Sequence, residues 1–181
     1  MRGQVVGLVF LLLGVASTPV AAADVDLEYR LRAAFLVNFV RFVSWESAQF
    51  TSPASAIELC IPEADPVAPA LEELVRDKRI DAHPLTVRRL KRGARWDGCH
   101  LAYTGAAPSQ QSAAVFRALG QRPVLTVHES AEALPGGVIR LFLEDRKLRF
   151  EVNTAAVDQG PLKLSSQLMS LAVLVRVEAP Q

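Results

Sequence analysis

The most informative pattern of hydrophobic and polar positions lies at Gly137–Asn153, where two β-rich runs flank a charged centre. Val138, Leu141 and Leu143 alternate imperfectly with Ile139, Arg140 and Phe142, and Glu144, Asp145, Arg146 and Lys147 form a polar tip. The second arm is cleaner: Leu148, Phe150 and Val152 alternate with Arg149 and Glu151, giving one buried and one wet face. This predicts a β-hairpin. After Asn153 the period changes. Leu164, Leu168, Leu171, Ala172 and Val175 fall on one stripe, so an amphipathic terminal helix is expected to follow the hairpin.

Upstream, Leu27–Trp45 predicts a helix free of glycine and proline, with Leu27, Leu31, Ala34, Phe35, Asn38 and Phe42 on one stripe and Trp45 capping the core. Leu36, Phe39, Val40 and Val43 widen its apolar surface beyond one packing face. Such a helix lies deep in the core or makes a subunit contact, and Phe39 and Val40 are the predicted contact of a homodimer. Asn38 reads as a core polar group satisfied by backbone. Strands are predicted at Ala56–Ile61, Pro84–Leu90, Cys99–Tyr103 and Val124–Val127, and helices from Asp65 to Val75 and from Pro108 to Leu119. Asp65 is the expected N-cap of the first of these helices, with Pro66 at its first position, and Gly120 stops the second. Ser130–Leu134 supplies at most one helical turn. Strand–helix–strand units in this order predict an α/β fold. We expect a single three-layer-like domain with a mixed, mostly parallel sheet flanked by helices, the hairpin forming an antiparallel edge.

Composition adds an address. Arg2, the apolar run Val5–Val15 and Ala21-Ala22-Ala23 describe a signal peptide cut after Ala23, too short in its apolar part to span a bilayer. Residues 1–23 are therefore assigned to a leader and 24–181 to one exported, periplasmic domain. With 181 residues and a formal charge of +1, the chain suits one core and has no global pull toward nucleic acid. The two cysteines, Cys60 and Cys99, allow a single pairing, which an oxidising compartment favours; two buried thiols are the alternative.

Candidate chemistry changes the picture little. His83, His100 and His128 are scattered without metal-site spacing, and Ser165-Ser166 lacks a nucleophile elbow, Ser165 fitting a helix N-cap instead. Cys99 and His100 are neighbours on a strand and point to opposite faces. Gly136-Gly137 precedes a strand rather than opening a helix, so no phosphate loop forms. No enzymatic activity, metal or cofactor is expected. From Arg76 to Arg95 there are eight basic and two acidic residues, densest at Arg88, Arg89, Lys91, Arg92 and Arg95. Export removes nucleic acid as the partner, leaving an anionic envelope component such as a cell-wall fragment, or a solvated charged segment.

Six stretches taken in order, LRAAFLVNFVRFVSWE, IELCIPEADP, CHLAYTG, RPVLTVHES, GGVIRLFLEDRKLRFEVN and LKLSSQLMSLAVLV, resemble the YfiR-like (DUF4154) family across nearly all of the chain beyond the leader. The resemblance implies an exported regulatory domain that binds the periplasmic portion of a membrane diguanylate cyclase and lowers cyclic-di-GMP output. The alternative is a sensor of a small molecule or cell-wall fragment. The chain lacks a cyclase or kinase domain, which fits the stand-alone type. Cys60 and Cys99 match the cysteines that form a structural disulfide in that type. A second cysteine pair near the hairpin in some members is absent, Leu134, Leu141 and Leu143 being apolar there, and Glu46 stands where proline is common.

The proposed repressor contact falls on Phe150–Gly160. Asn153 starts a turn, Thr154–Val157 is small and mostly apolar, and Asp158–Gly160 breaks the element. Glu151, Asn153, Val157 and Asp158 are the candidate partner-binding residues. The other reading is that Ala155, Ala156 and Val157 only pack on the sheet.

Overall fold

The computed structural model describes residues 20–45, 50–52 and 54–178. Residues 1–19 of the expected leader lie outside them. The chain opens with α1 (Val20–Arg41), followed by β1 (Val43–Ser44), β2 (Ile57–Pro62), α2 (Ala68–Val75), β3 (Arg79–Ile80), β4 (His83–Leu90) and β5 (Leu101–Tyr103). Then come α3 (Ser109–Leu119), β6 (Leu125–His128), β7 (Ile139–Glu144), β8 (Lys147–Asn153), α4 (Thr154–Gln159), β9 (Lys163–Leu164), α5 (Ser166–Leu171) and β10 (Val173–Val175).

Eight strands form one sheet in the order β10-β8-β7-β6-β5-β2-β4-β3, while β1 and β9 pair separately. Pairings from β4 through β7 are parallel, and only β3–β4 and β7–β8 in this sheet are antiparallel. The alternation of side chains along each strand explains the layers. Ile57, Leu59 and Ile61 of β2, Leu101 and Tyr103 of β5 and Leu125 and Val127 of β6 face one core with α1 and α2. Cys60, Ala102 and Val124 face a second core closed by Leu119 of α3. The expected α/β domain, with helices on both faces of a mixed and mostly parallel sheet, is thus present.

The hairpin forms as expected, with Glu144 opposite Lys147 and a two-residue turn in which Asp145 and Arg146 both have positive φ, 49° and 62°. That twist matches the strands it joins. It is not the sheet edge, however. The expected terminal helix stops at Leu171, and Val173–Val175 instead forms β10, parallel to Glu151–Asn153 of β8. Three consecutive β-branched or γ-branched aliphatics favour the strand once a sheet edge is available, which a stripe count cannot register.

The α1 helix is also differently turned. Leu36, Phe39 and Val40 are at most 2% exposed, whereas Leu27, Leu31 and Asn38 are exposed. The buried side of α1 serves the sheet and α2 together, so Phe39 and Val40 are core residues and not a dimer contact. Phe39 meets Phe150 edge-on with centroids 5.0 Å apart.

Candidate functional site

Three parts of the molecule hold polar chemistry. The first is where α/β sheets ordinarily bind ligands, beyond the carboxyl ends of strands that depart in opposite directions. From β2 the chain crosses to β4 on one side, while β5 and β6 lie on the other. The loops after β2, β5 and β6 bring Asp65, Gly105 and Glu129 together, and α1 adds Arg32. Arg32 Nε donates to both oxygens of Glu129 at 2.9 Å, and its Nη1 donates to Glu28 at 2.5 Å. The Tyr103 hydroxyl donates to Glu129 Oε1. Asp65 Oδ1 accepts from the Val67 N–H at 2.9 Å, so the carboxylate shapes the entry to α2 although Val67 is the capping position. Gly105, at φ +59°, is required here: a Cβ would come within 2.2 Å of Asp65 Oδ2.

Burial works against the Arg32 charge, but its bonds to Glu28 and Glu129 outweigh that effect and raise its pKa. Burial pushes the Asp65 carboxyl up; the Val67 N–H opposes this and the Glu129 charge adds to it. The Tyr103 phenol is raised by burial and then by the two carboxylates. A phenol in that state is no base. The cluster fastens α1 over the crevice, with each principal group engaged by another residue of the same chain. Sequence reasoning did not find it, because Arg32 and Glu129 are 97 positions apart. The readable signal was the loops after adjacent parallel strands.

The second part surrounds the cysteines. Cys60 and Cys99 form a disulfide joining the face of β2 to the chain entering β5. Arg88 Nη2 donates to Cys99 Sγ at 3.2 Å and to the Asp97 carbonyl. Its Nε lies 2.9 Å from Glu58 Oε2, a charge contact rather than a hydrogen bond, since Nε lacks an aligned acceptor. Arg89 makes two bonds of 2.7 Å to Glu72, and Arg95 pairs with Asp97, which also holds Arg122. These partners lower the Asp97 and Glu72 carboxyls. Of the predicted basic group only Lys91 and Arg92 have no ion pair among the described residues. Arg88, Arg89 and Arg95 of the run are thus paired with acidic residues outside it, which offset part of the excess charge visible in sequence.

The third part is Phe150–Gly160. Glu151 is buried opposite Arg140 and receives two bonds from it, at 2.6 and 2.9 Å. Asn153 is buried too. Its Oδ1 accepts from Ala155 N–H, capping α4, and from Val177 N–H at 2.9 Å, while its amide donates to the Val177 carbonyl. Neither residue is available on this surface, so the candidate contact contracts. Val157 is half-buried against the first core, and Asp158 is exposed and 3.0 Å from Arg176. Glu151 and Asn153 instead hold the sheet's end together.

An open groove of about 620 Å³ lies between Phe116 and Arg117 of α3 and the turn at Gln159–Leu162, with Thr126 and Val138 at its floor. Among the described residues no group of three histidines, cysteines or carboxylates is placed to hold a metal ion, and no helix is long and apolar enough to cross a membrane. No curated protein matches the chain. A match to the YfiR/HmsC-like (DUF4154) family model runs over residues 29–173, from within α1 to the first residue of β10, and the chain belongs to that family.

Proposed function

We propose that the protein is a periplasmic regulator that binds the periplasmic portion of a membrane diguanylate cyclase and lowers cyclic-di-GMP output. The carrying observation is the family match, which spans the sheet and its flanking helices instead of one small part of the chain. The family points to regulation rather than catalysis. The engaged state of Arg32, Tyr103 and Glu129 supports that direction, because a reacting group must be free to meet its substrate.

Repression then works through differential binding: the regulator prefers one of two cyclase arrangements and shifts the population toward it. Val157 and Asp158 are the accessible members of the candidate contact. Replacing Val157→Asp or Asp158→Lys should raise cellular cyclic-di-GMP at least several-fold while the purified variants keep wild-type thermal melts. Copurification with the cyclase should weaken in parallel. If both variants fold, bind and repress fully, the contact lies elsewhere. If deletion of the whole protein leaves cyclic-di-GMP unchanged, the regulatory reading itself is wrong.

A second reading, a small-molecule sensor, is favoured by one observation. The groove beside α3 has the size and mixed apolar and polar lining of small-ligand sites. The basic segment supports it less, since Arg88, Arg89 and Arg95 are already paired.

A further inference from the structure

Charge is distributed unevenly on the side of the sheet that α3 covers. The loop from β4 to β5 carries Lys91, Arg92 and Arg95, all exposed, and α3 with the turn after it adds exposed Arg117 and Arg122. From Lys91 to His128 the single carboxylate is Asp97. Asp97 brings the loop and α3 together, pairing with Arg95 and, 25 positions along the chain, with Arg122. Arg95, Trp96 and Arg122 line one open groove of about 530 Å³ over the alanines of α3, and Arg122 with Arg117 lines the neighbouring one. The basic residues therefore share one continuous surface.

That surface keeps an excess of positive charge. Asp97 is divided between two arginines, and Lys91, Arg92 and Arg117 have no ion pair among the described residues. Glu58, on the same face of β2 as Cys60, is already paired with Arg88, and Glu63 reaches only the margin, through its N–H to the Leu90 carbonyl. Trp96 is half-buried among these cations and packs on the second core. The centre of a protein–protein contact is depleted in charged residues and built on aromatic anchors in tight pockets. A bilayer surface is met differently, by long cations reaching phosphates around an indole at headgroup level. The second description fits this face.

We infer that the β4–β5 loop and α3 form a docking surface for an anionic bilayer, with the cations on lipid phosphates and Trp96 at the headgroups. The inference goes beyond the regulatory reading and does not rest on it, since its readout is lipid binding by the purified protein and not cyclic-di-GMP. The test is flotation with vesicles of phosphatidylglycerol and phosphatidylcholine in equal parts, and with phosphatidylcholine alone. The first should carry the protein and the second should not. Raising salt from about 50 to about 300 mM should weaken binding about tenfold, because screening shortens the reach of exposed charges. Lys91→Glu together with Arg92→Glu, and separately Arg117→Glu, should each weaken it about tenfold with unchanged circular dichroism. Arg41→Glu with Lys163→Glu makes the same charge change as the loop pair on the α1 side of the sheet, and should leave binding within about twofold of wild type. A wild type that binds neither vesicle, or both alike, overturns the proposal. Equal loss in the Arg41 and Lys163 variant also overturns it, by assigning the attraction to overall charge. So does capture of an acidic protein without lipid binding, which would give the face to a protein partner. Should the loop variant unfold, Arg117→Glu must still weaken binding for the proposal to stand.

Discussion

The two ends of the sheet are finished in opposite ways. At one end β3 is only Arg79 and Ile80, bounded by Asp77 and Asp81 at positive φ and surrounded by exposed Arg76 and Lys78. A strand so short and charged gives another chain little to pair with. At the other end β10 is three aliphatic residues, and the guarding charges, Lys147 and Arg149, lie on the part of β8 that β10 leaves uncovered. The attachments differ as well. A disulfide ties β2 to the entry of β5, whereas β10 is held by its ladder to β8 and by side-chain bonds from Asn153 and Thr154. The comparison separates a covalently secured half of the sheet from a half held by individual hydrogen bonds. The seam between them, β6 to β7, has only two paired positions, Val127 with Ile139 and His128 with Arg140.

The largest expected effect is at the secured half. The disulfide closes a sequence separation of 39, and chain-entropy reasoning gives about 4 kcal/mol for a loop of that size. Replacing Cys60→Ala together with Cys99→Ala should lower unfolding free energy by about that much, measured by urea titration. Hydrogen exchange should then show β2, β4 and β5 opening more easily. If β10 and β8 respond instead, the two halves are not distinct in the way described.

Acid acts on the seam. His128 is buried, and burial first, with the Arg140 charge second, lowers its pKa to about 4. The unfolded chain therefore takes up the proton before the folded one as pH falls. The stability due to neutral His128 is complete above about pH 6.5 and is lost progressively down to about pH 4, a total of about 3 kcal/mol. His100, whose pKa is lowered by burial and then by His83, contributes in the same direction. Asp65 opposes both: its raised carboxyl protonates first in the folded state, so it adds stability as pH falls through its native pKa. Urea titrations across this range should show His128→Gln with a flatter acid limb than wild type. An unchanged limb would remove His128 from the account.

A smaller effect is expected from Asn153→Ala. It removes the α4 cap and the bonds to Val177, for which about 2 kcal/mol is reasonable. Exchange should accelerate at β10 before the disulfide-bonded strands. A loss spread evenly over the sheet would show that Asn153 does not hold that edge locally.

The fold was largely readable because its signals are local. Val138–Asn153 alternates, its two-residue turn is polar, and the apolar runs around Leu59, Leu101 and Leu125 are bounded by loops. The candidate contact was only half readable. Asp158 and Val157 remain accessible, but Glu151 looked like a wet residue on an alternating arm until Arg140 was found across the hairpin. The basic run was only partly readable for the same reason: Glu72 and Glu58, which pair with Arg89 and Arg88, are far enough away in sequence to escape a local charge count.

By itself the sequence determined the order of most elements, the hairpin and its turn, the pair of cysteines and the family resemblance, all carried by neighbouring residues or by ordered motifs. Tertiary structure decided which side of α1 is buried, that residues after Leu171 become an outer strand, and that Arg32, Tyr103 and Glu129 converge. Those outcomes depend on partners distant along the chain. A helical stripe records which residues can share a face, but only the packed sheet supplies the free edge that makes Val173–Val175 more favourable as a strand.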